Sequence, residues 1–261
     1  MAAVLLLITA CKDKKDKEAD KKAPYSDLVS ENLKGDISSY VETPYQADSA
    51  GKAGEMDSCC ITVYEFDENG YGTTTTSKDS KGTVKETSVF TRHPNGLWKS
   101  ATNTKDGKPS GSFETQLNDK GQYITATAWD SVGKLDIYYT GITQNEQGMV
   151  LSWKQFDKDS VYRQEGISTY DKTMQTGFTI KDSTGKAKFS NTFTYNDKGE
   201  QTEMTNTDMS KDSTVVKVTK YTYESHDEMG NWTQRTTWDD KGKATKIVKR
   251  TYTYRTSEEK K

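Results

Sequence analysis

Turn-forming motifs recur along this chain in two interleaved series, and their regular spacing constrains the fold more than any other feature of the sequence. Members of the first series, such as Asp67-Glu68-Asn69-Gly70, follow one another about 26 residues apart, and members of the second, such as Asp79-Ser80-Lys81-Gly82, fall halfway between them. Asp and Asn begin tight turns by bonding to their own backbone, and Gly supplies a positive φ. Because a turn comes roughly every dozen residues, the segments between turns suit antiparallel strands and are too short for the crossover that parallel strands need.

The segments between the turns alternate in polarity. Ala187, Phe189 and Tyr195 fall on one face of their segment, whereas Lys188 and Thr194 fall on the other. A period of two residues is the signature of a strand. The sequence therefore predicts an all-β fold, an antiparallel meander of roughly sixteen strands built from two-strand repeats of about 26 residues. A sheet of that size usually curls, splits or closes, so a curled sheet and a barrel-like sheet are both compatible with the pattern.

Composition indicates a folded protein with a thin apolar layer. Hydrophobic residues make up 31% of the chain and charged residues 29%, which is too polar for a thick core. The 15 Tyr, 7 Phe and 5 Trp nevertheless argue against disorder, because aromatic residues favour sheets. The net charge is −2 with Lys and acidic residues interleaved, so we expect no nucleic-acid partner.

The N-terminus has the pattern of an export signal. An apolar run ends in Ile8-Thr9-Ala10-Cys11, which resembles the lipobox of bacterial lipoproteins. This resemblance implies that residues 1–10 are a signal peptide, that Cys11 is acylated, and that the lipid holds the protein on the outer membrane, at its periplasmic face or at the cell surface. We predict a charged flexible tether over residues 11–33, a single repeat domain over residues 34–256 and a charged tail over residues 257–261.

The C-terminal repeat carries a second resemblance. Tyr221-Thr222-Tyr223, followed by the segment 227–235 with Asp227, Gly230 and Trp232, resembles the YD-type repeat of RHS-like proteins and the repeat lipoproteins of Bacteroidetes. The resemblance implies a repeated hairpin and no particular activity, because function depends on a site rather than on a fold.

The residues with potential for chemistry are few. His93 and His226 both lie in turn motifs, and the cysteines have no zinc-site spacing, so we predict neither a metal nor a cofactor. The expected function is a non-catalytic envelope lipoprotein that serves as a scaffold or as a binding surface for a protein or a glycan. The alternative is an envelope hydrolase with an acidic site assembled from distant repeats.

Three further sets of residues are candidate sites. An Asp-Ser pair followed by a small aliphatic residue or Thr resembles the O-glycosylation acceptor of exported Bacteroidetes proteins, although Asp-Ser also starts turns, and its serines are Ser49, Ser131, Ser160, Ser183 and Ser213. The tryptophans could stack against sugars or pack within the sheet, and they are Trp98, Trp129, Trp153, Trp232 and Trp238. The adjacent Cys59 and Cys60 are either free thiols or a vicinal disulfide.

Overall fold

The computed structural model describes residues 26–48, 50–210 and 213–256 and contains one short helix and seventeen strands. The elements are α1 (Asp27–Ser30), β1 (Ile37–Ala47), β2 (Ala53–Met56), β3 (Cys59–Phe66), β4 (Gly72–Asp79), β5 (Val84–Arg92), β6 (Trp98–Lys105), β7 (Lys108–Leu117), β8 (Tyr123–Trp129), β9 (Leu135–Gln144), β10 (Val150–Asp157), β11 (Tyr162–Asp171), β12 (Met174–Asp182), β13 (Ala187–Tyr195), β14 (Gln201–Asp208), β15 (Val215–His226), β16 (Trp232–Trp238) and β17 (Ala244–Tyr254). No helix among these described residues is long and apolar enough to cross a membrane.

The strands close into an antiparallel barrel. From β3 to β17 each strand pairs with the next along the chain, and β1 pairs with both β3 and β17. The closing seam runs from the pair Ile37 and Tyr254 to the pair Gln46 and Lys246. Sixteen strands therefore form the barrel, and the short β2 is an additional strand that pairs with the end of β1. The all-β meander predicted from the sequence is confirmed, and of the two shapes left open the structure has the closed one.

The turns that join the strands share one hydrogen-bonding pattern. Asp67 Oδ1 accepts from the backbone N–H groups of Asn69 and Tyr71, both at 2.9 Å, and Gly70 takes the positive φ, at 80°. The first residue of ten other turns accepts the same two bonds, and these residues are Asp48, Asp79, Asn118, Asp130, Asn145, Asp157, Asp182, Asn196, Asp227 and Asp239. This chemistry is local, and it explains why the turns could be located from the sequence.

The N-terminal segment 26–36, here called the plug, packs into one end of the barrel. The Leu28 N–H donates to the Gly70 carbonyl at 3.2 Å, and Asn32 Nδ2 donates to the Lys198 carbonyl at 2.6 Å. Both acceptors belong to turns of the first series. We call this end the plug rim and the opposite end, where the second series lies, the far rim, because alternate turns of a meander fall at opposite ends.

The plug extends the folded domain beyond the predicted boundary between residues 33 and 34. Leu28 and Leu33 are buried with Ile37, Tyr40 and Phe66 in a small hydrophobic cluster. The predicted tether therefore differs from the structure over residues 26–33. Two leucines spaced five residues apart among polar residues are too weak a pattern to be read as a packed segment.

The outer face of the wall carries charged side chains within its strands. Lys154 follows the lumen-lining Trp153, and since successive side chains on a strand point to opposite faces it points outward. Its register partner is Glu165, and the partner of Glu165 is Lys181, so charges of alternating sign run across three strands. Cross-strand pairs of opposite charge stabilise a solvated sheet face.

Candidate functional site

A large cavity lies inside the barrel beneath the plug. Its volume is about 680 Å³, and its wall combines aromatic rings with charged groups, including Trp98, Trp232 and Arg235. A second cavity of about 340 Å³ shares Trp98 and Tyr123 with the first, so the two are neighbouring parts of one lumen. A barrel of sixteen strands is wide enough to leave such space at its centre.

Tyrosines from successive repeats fix the wall near the plug rim. The phenol of Tyr170 donates to the Val150 carbonyl, Tyr195 to Gln175, Tyr223 to Gln201 and Tyr252 to Trp232, at 2.7–3.3 Å. Each bond ties the end of one strand to the beginning of its neighbour. Since the phenol ends are bonded, the rings are held in place, and those of Tyr170, Tyr195 and Tyr223 line the large cavity.

Arg250 is the centre of a charged network under the plug. Its Nε donates to Glu42 Oε1 at 2.8 Å, and its guanidinium lies 3.7 Å from Glu31. The same guanidinium stacks over Tyr40 and Trp232, with its carbon 4.3 Å and 4.1 Å from the ring centres. Burial raises the pKa of Glu31, against the opposing effect of the Arg250 charge. The plug is thus held partly by an ion pair between the buried Arg250 and the partly exposed Glu31.

Arg92 makes a second contact of this kind. Its guanidinium forms an ion pair with Asp27 of the plug and lies 3.9 Å from the centre of the Trp98 ring. Asp27 also accepts from the Gly72 N–H at 2.6 Å. Burial raises the pKa of Asp27, and the Gly72 hydrogen bond and the Arg92 charge oppose this rise.

Trp153 forms part of the wall of the smaller cavity. Its indole lies flat against Gly166, the residue paired with it on β11, and Tyr139 meets it edge-on with ring centres 5.2 Å apart. An aromatic ring that packs on one face and lines a cavity with the other is available for stacking.

The two histidines sit at the edge of the lumen in different roles. His226 Nε2 lies 2.5 Å from Glu200 Oε1, and Glu200 also accepts from Asn196 at 2.8 Å. The pKa of Glu200 is lowered, because the hydrogen bonds from Asn196 and His226 outweigh the effect of its burial. His93 Nε2 contacts Thr115 Oγ1 at 2.9 Å, and burial lowers the pKa of His93.

The structure separates the five tryptophans. Trp98, Trp153 and Trp232 line the lumen. Trp129, opposite Ser112 and Leu135, lies on the outer face, and Trp238 packs outside the barrel where its Nε1 donates to Thr222 at 2.9 Å. The tryptophans therefore do not form one platform, and three of them contribute to the cavity walls.

The serines of the Asp-Ser pairs gather at the far rim. Ser131, Ser160, Ser183 and Ser213 are exposed there, whereas Ser49 and Cys11 lie outside the described residues. Ser160 takes the positive-φ position that glycine occupies in other turns, with φ at 61°. Glycosylation of these serines and acylation of Cys11 stay predictions.

The sulfur atoms of Cys59 and Cys60 are bonded to each other at the start of β3. The oxidation state of this pair in the cell stays a prediction. Among the described residues there is no group of three His, Cys, Asp or Glu side chains that could hold a metal ion.

Sequence reasoning missed the arginines of the lumen. The chain has 37 Lys and Arg residues, but only Arg92, Arg163, Arg235, Arg250 and Arg255 are arginine. Arg92, Arg235 and Arg250 line the large cavity, and Arg255 bonds Asp36 of the plug at 2.7 Å. Their rarity among so many lysines was a usable signal, because arginine suits stacked and buried ion pairs better than lysine does.

The fold and the lumen define the class of this protein as a closed, plugged, antiparallel β-barrel. A porin-like protein from Bacteroides uniformis has a similar structure, with a TM-score of 0.53 and 16% sequence identity over 83% of this chain and 96% of that chain. At this identity the likeness shows the fold alone. A LolA superfamily protein from Nitrosomonas europaea has a TM-score of 0.20 and 9% identity over 85% of this chain and 87% of that one, which carries no argument. Neither a protein-family model nor a curated protein matches the sequence.

Proposed function

We propose that this chain is a non-catalytic lipoprotein of the bacterial outer membrane whose barrel binds a saccharide in its lumen. The cavity of about 680 Å³ beneath the plug is the observation that carries the proposal. Ligand pockets are usually about 300–1,000 Å³, with mainly aromatic and apolar walls and a few polar groups.

The chemistry of the cavity wall favours a sugar over a purely apolar ligand. The half-buried Trp98 offers a ring on which the C–H face of a sugar can pack, and the more deeply buried rings of Tyr123 and Trp232 line the same wall. Gln175, Gln201 and Lys198 on the same wall offer donors and acceptors for its hydroxyl groups. A wall that mixes these two kinds of group suits a molecule with both apolar faces and hydroxyls.

Charges on the outer face support a barrel that is tethered to the membrane by lipid. The row of Lys154, Glu165 and Lys181 runs from the middle of β10 through β11 to the end of β12 near the far rim. A wall embedded in a bilayer needs an apolar band about 25 Å tall instead. The porin-like neighbour from Bacteroides uniformis is compatible with an envelope protein, and the resemblance of Ile8-Thr9-Ala10-Cys11 to a lipobox supports a lipid anchor at Cys11.

Saccharide binding can be tested by titrating the folded chain with neutral disaccharides of glucose, galactose and N-acetylglucosamine while following tryptophan fluorescence and calorimetric heat. We expect Trp98→Ala to weaken binding by about tenfold or more, since an aromatic stacking contact is typically worth 1–3 kcal/mol. The matched control is Trp129→Ala, which removes an indole from the outer face. No binding by the native chain, or equal loss in both variants, contradicts the proposal.

The lipid anchor has its own test. Cys11→Ser removes the atom to which the acyl chain would be attached, so we expect the variant to leave the membrane fraction of the native host. If the variant stays with the membranes and native Cys11 carries no lipid by mass spectrometry, the chain is not a lipoprotein.

A relation to YD-type repeat proteins is also proposed. The pairs Tyr195-Asn196 and Tyr170-Asp171 each place a tyrosine directly before a turn-forming residue. Those tyrosines make the bonds that tie neighbouring strands, which supports a shared role for the motif in building hairpins.

The contact between His226 and Glu200 favours a hydrolase as the second candidate function. These residues come from different repeats, and Glu200 lines the large cavity. A general base needs a carboxylate or imidazole within reach of its substrate. Hydrolysis products from any bound disaccharide, lost in Glu200→Gln, would support the hydrolase. Intact disaccharide after prolonged incubation would leave the binding function.

A further inference from the structure

Of the three arginines in the large cavity, Arg235 alone has no carboxylate partner within the described part of the chain. Arg92 pairs with Asp27, and Arg250 pairs with Glu42 and Glu31. Arg235 instead lies over two rings, with its guanidinium carbon 5.0 Å from the centre of Trp232 and 5.1 Å from that of Tyr221. A stacked guanidinium with no opposing charge leaves an uncompensated cation inside the barrel.

The position of Arg235 is fixed by its neighbours. It sits opposite Tyr223 on the adjacent strand, and Tyr223 is itself anchored by the bond from its phenol to the Gln201 carbonyl at 2.9 Å. Burial raises the pKa of Tyr223, and the charge and hydrogen bond of Arg235 oppose this rise. The guanidinium is therefore preorganised, which lowers the entropic cost of binding a ligand.

The hydrogen-bonding capacity of Arg235 is not filled. Among the described residues its Nε is buried without a hydrogen-bond partner. Buried donors are nearly always satisfied, and those that are not call for an explanation such as a bound molecule. The nearby acid Glu200 is already engaged by His226 and Asn196, and Arg250 is already neutralised. Among the described residues Arg92 Nε is also buried without a partner, although Arg92 pairs with Asp27. What distinguishes Arg235 is therefore its unneutralised charge, which an anionic ligand would neutralise.

We propose that Arg235 is the subsite of the lumen that binds the carboxylate of an acidic saccharide, such as one containing a uronic acid. This inference rests on the proposed saccharide-binding function and adds the charge of the ligand to it. A guanidinium presents parallel donors that match the two oxygens of a carboxylate. Trp232 and Tyr223, which flank the arginine, would pack against the ring that carries the carboxylate.

The test compares a glucuronate-containing disaccharide with the neutral glucose disaccharide of the same linkage, by calorimetry at low salt. The native chain should bind the acidic compound about tenfold to a hundredfold more tightly, since a charge-assisted hydrogen bond is worth 1.5–3 kcal/mol. Arg235→Gln should remove this preference, so that it weakens binding of the acidic compound about tenfold or more beyond any effect on the neutral one. The matched control is Arg163→Gln, whose arginine is exposed and pairs with Asp157 near the far rim. It should keep the preference.

The outcomes separate this inference from the proposed function. Equal affinity of the native chain for the two disaccharides overturns the carboxylate subsite and leaves saccharide binding intact, whereas no affinity for either overturns both. If Arg235→Gln weakens both compounds equally, the arginine is structural and the inference is wrong. Arg235→Lys guards against misfolding of the glutamine variant, because it keeps the charge and should lose part of the preference along with the paired donors. If Arg235→Lys keeps the full preference for the acidic disaccharide, recognition of the carboxylate by two guanidinium donors is refuted.

Discussion

A methyl group added at residue 166 would collide with the indole of Trp153. An ideal Cβ at Gly166 would lie 2.2 Å from Trp153 Cε2 and 2.3 Å from Cζ2. Carbon atoms in contact are normally about 3.5–4.0 Å apart, so the ring would have to retreat by about 1.3 Å or more. Tyr139 meets the indole edge-on, and the smaller cavity of about 340 Å³ lies beside it. The Gly166→Ala variant should therefore push Trp153 into the lumen.

Two opposing effects determine how much Gly166→Ala changes the free energy of unfolding. Overpacking in a well-packed region destabilises by about 1–3 kcal/mol. Replacing Gly by Ala also reduces the freedom of the unfolded chain, which stabilises by about 0.4–1 kcal/mol. The net loss should be about 1–2 kcal/mol. For a chain of this size each kcal/mol shifts Tm by about 2–4 °C, so we expect Tm to fall by about 2–8 °C.

The assay is thermal unfolding followed by circular dichroism, together with the near-UV signal of tryptophan. Gly54→Ala is the matched control, because a Cβ there would have its nearest contact at 3.4 Å, with the Gln46 carbonyl. Adding Trp153→Leu to Gly166→Ala should recover part of the loss, since the colliding ring is gone. If Gly166→Ala changes neither Tm nor the near-UV signal relative to Gly54→Ala, the proposed packing of Trp153 is wrong.

Three further outcomes are expected. Leu28→Ala should reduce the free energy of unfolding by about 2–4 kcal/mol in a denaturant titration, since Leu28 is 7% exposed in the plug cluster, while Val29→Ala, 44% exposed on the same helix, should change it by less than about 0.5 kcal/mol. The side-chain hydrogen bond from Thr184 is the main cause that lowers the pKa of Asp182 to about 2. The ionised Asp182 therefore stabilises the fold above about pH 4, and this stabilisation is lost as the pH falls through about 2. Asp182→Asn, which keeps the acceptor oxygen, should show a smaller fall in Tm between pH 4 and pH 2 than the native chain. Protein purified from its native host should exceed the mass of the lipidated polypeptide if Ser131, Ser160, Ser183 and Ser213 carry sugars at the far rim, and unmodified peptides covering all of them would leave Asp-Ser as turn chemistry.

The turns and the antiparallel order could be predicted because they depend on neighbouring residues. Asp130, for example, accepts from the backbone of Val132 and Lys134, so a few residues specify the turn. The closing of the barrel depends instead on the pairing of Ile37 with Tyr254 and on the bond from the Arg255 N–H to the Asp36 carbonyl at 2.8 Å. These residues are distant in sequence, and no local pattern distinguishes a free edge from a paired one. The sequence therefore left the curled sheet and the barrel as alternatives.

Register shifts limit the prediction of the lumen wall. Ser100 pairs with Thr91, and their hydroxyls bond at 2.7 Å on the outer face. Strict alternation would send Trp98, two residues earlier, outward as well. A shift between Thr91 and Arg92 turns Trp98 inward, where its ring meets Phe90 at 4.6 Å. Such irregularities re-aim side chains near strand ends, which is where the large cavity lies.

The choice of arginine over lysine indicates which cations line the lumen, and the alternation of polar and apolar residues does not. A lysine could supply the charge at Arg92 or Arg250, but its ammonium cannot stack on a ring while pairing sideways with a carboxylate. Arg92 does both, with Trp98 and Asp27, and Arg250 does both, with Trp232 and Glu42. Arg235 has the stacking half of this arrangement and lacks the carboxylate among the described residues. Since the first two arginines use acids of the chain to hold the plug and the closing seam, the third has the geometry of a site whose acid comes from a ligand.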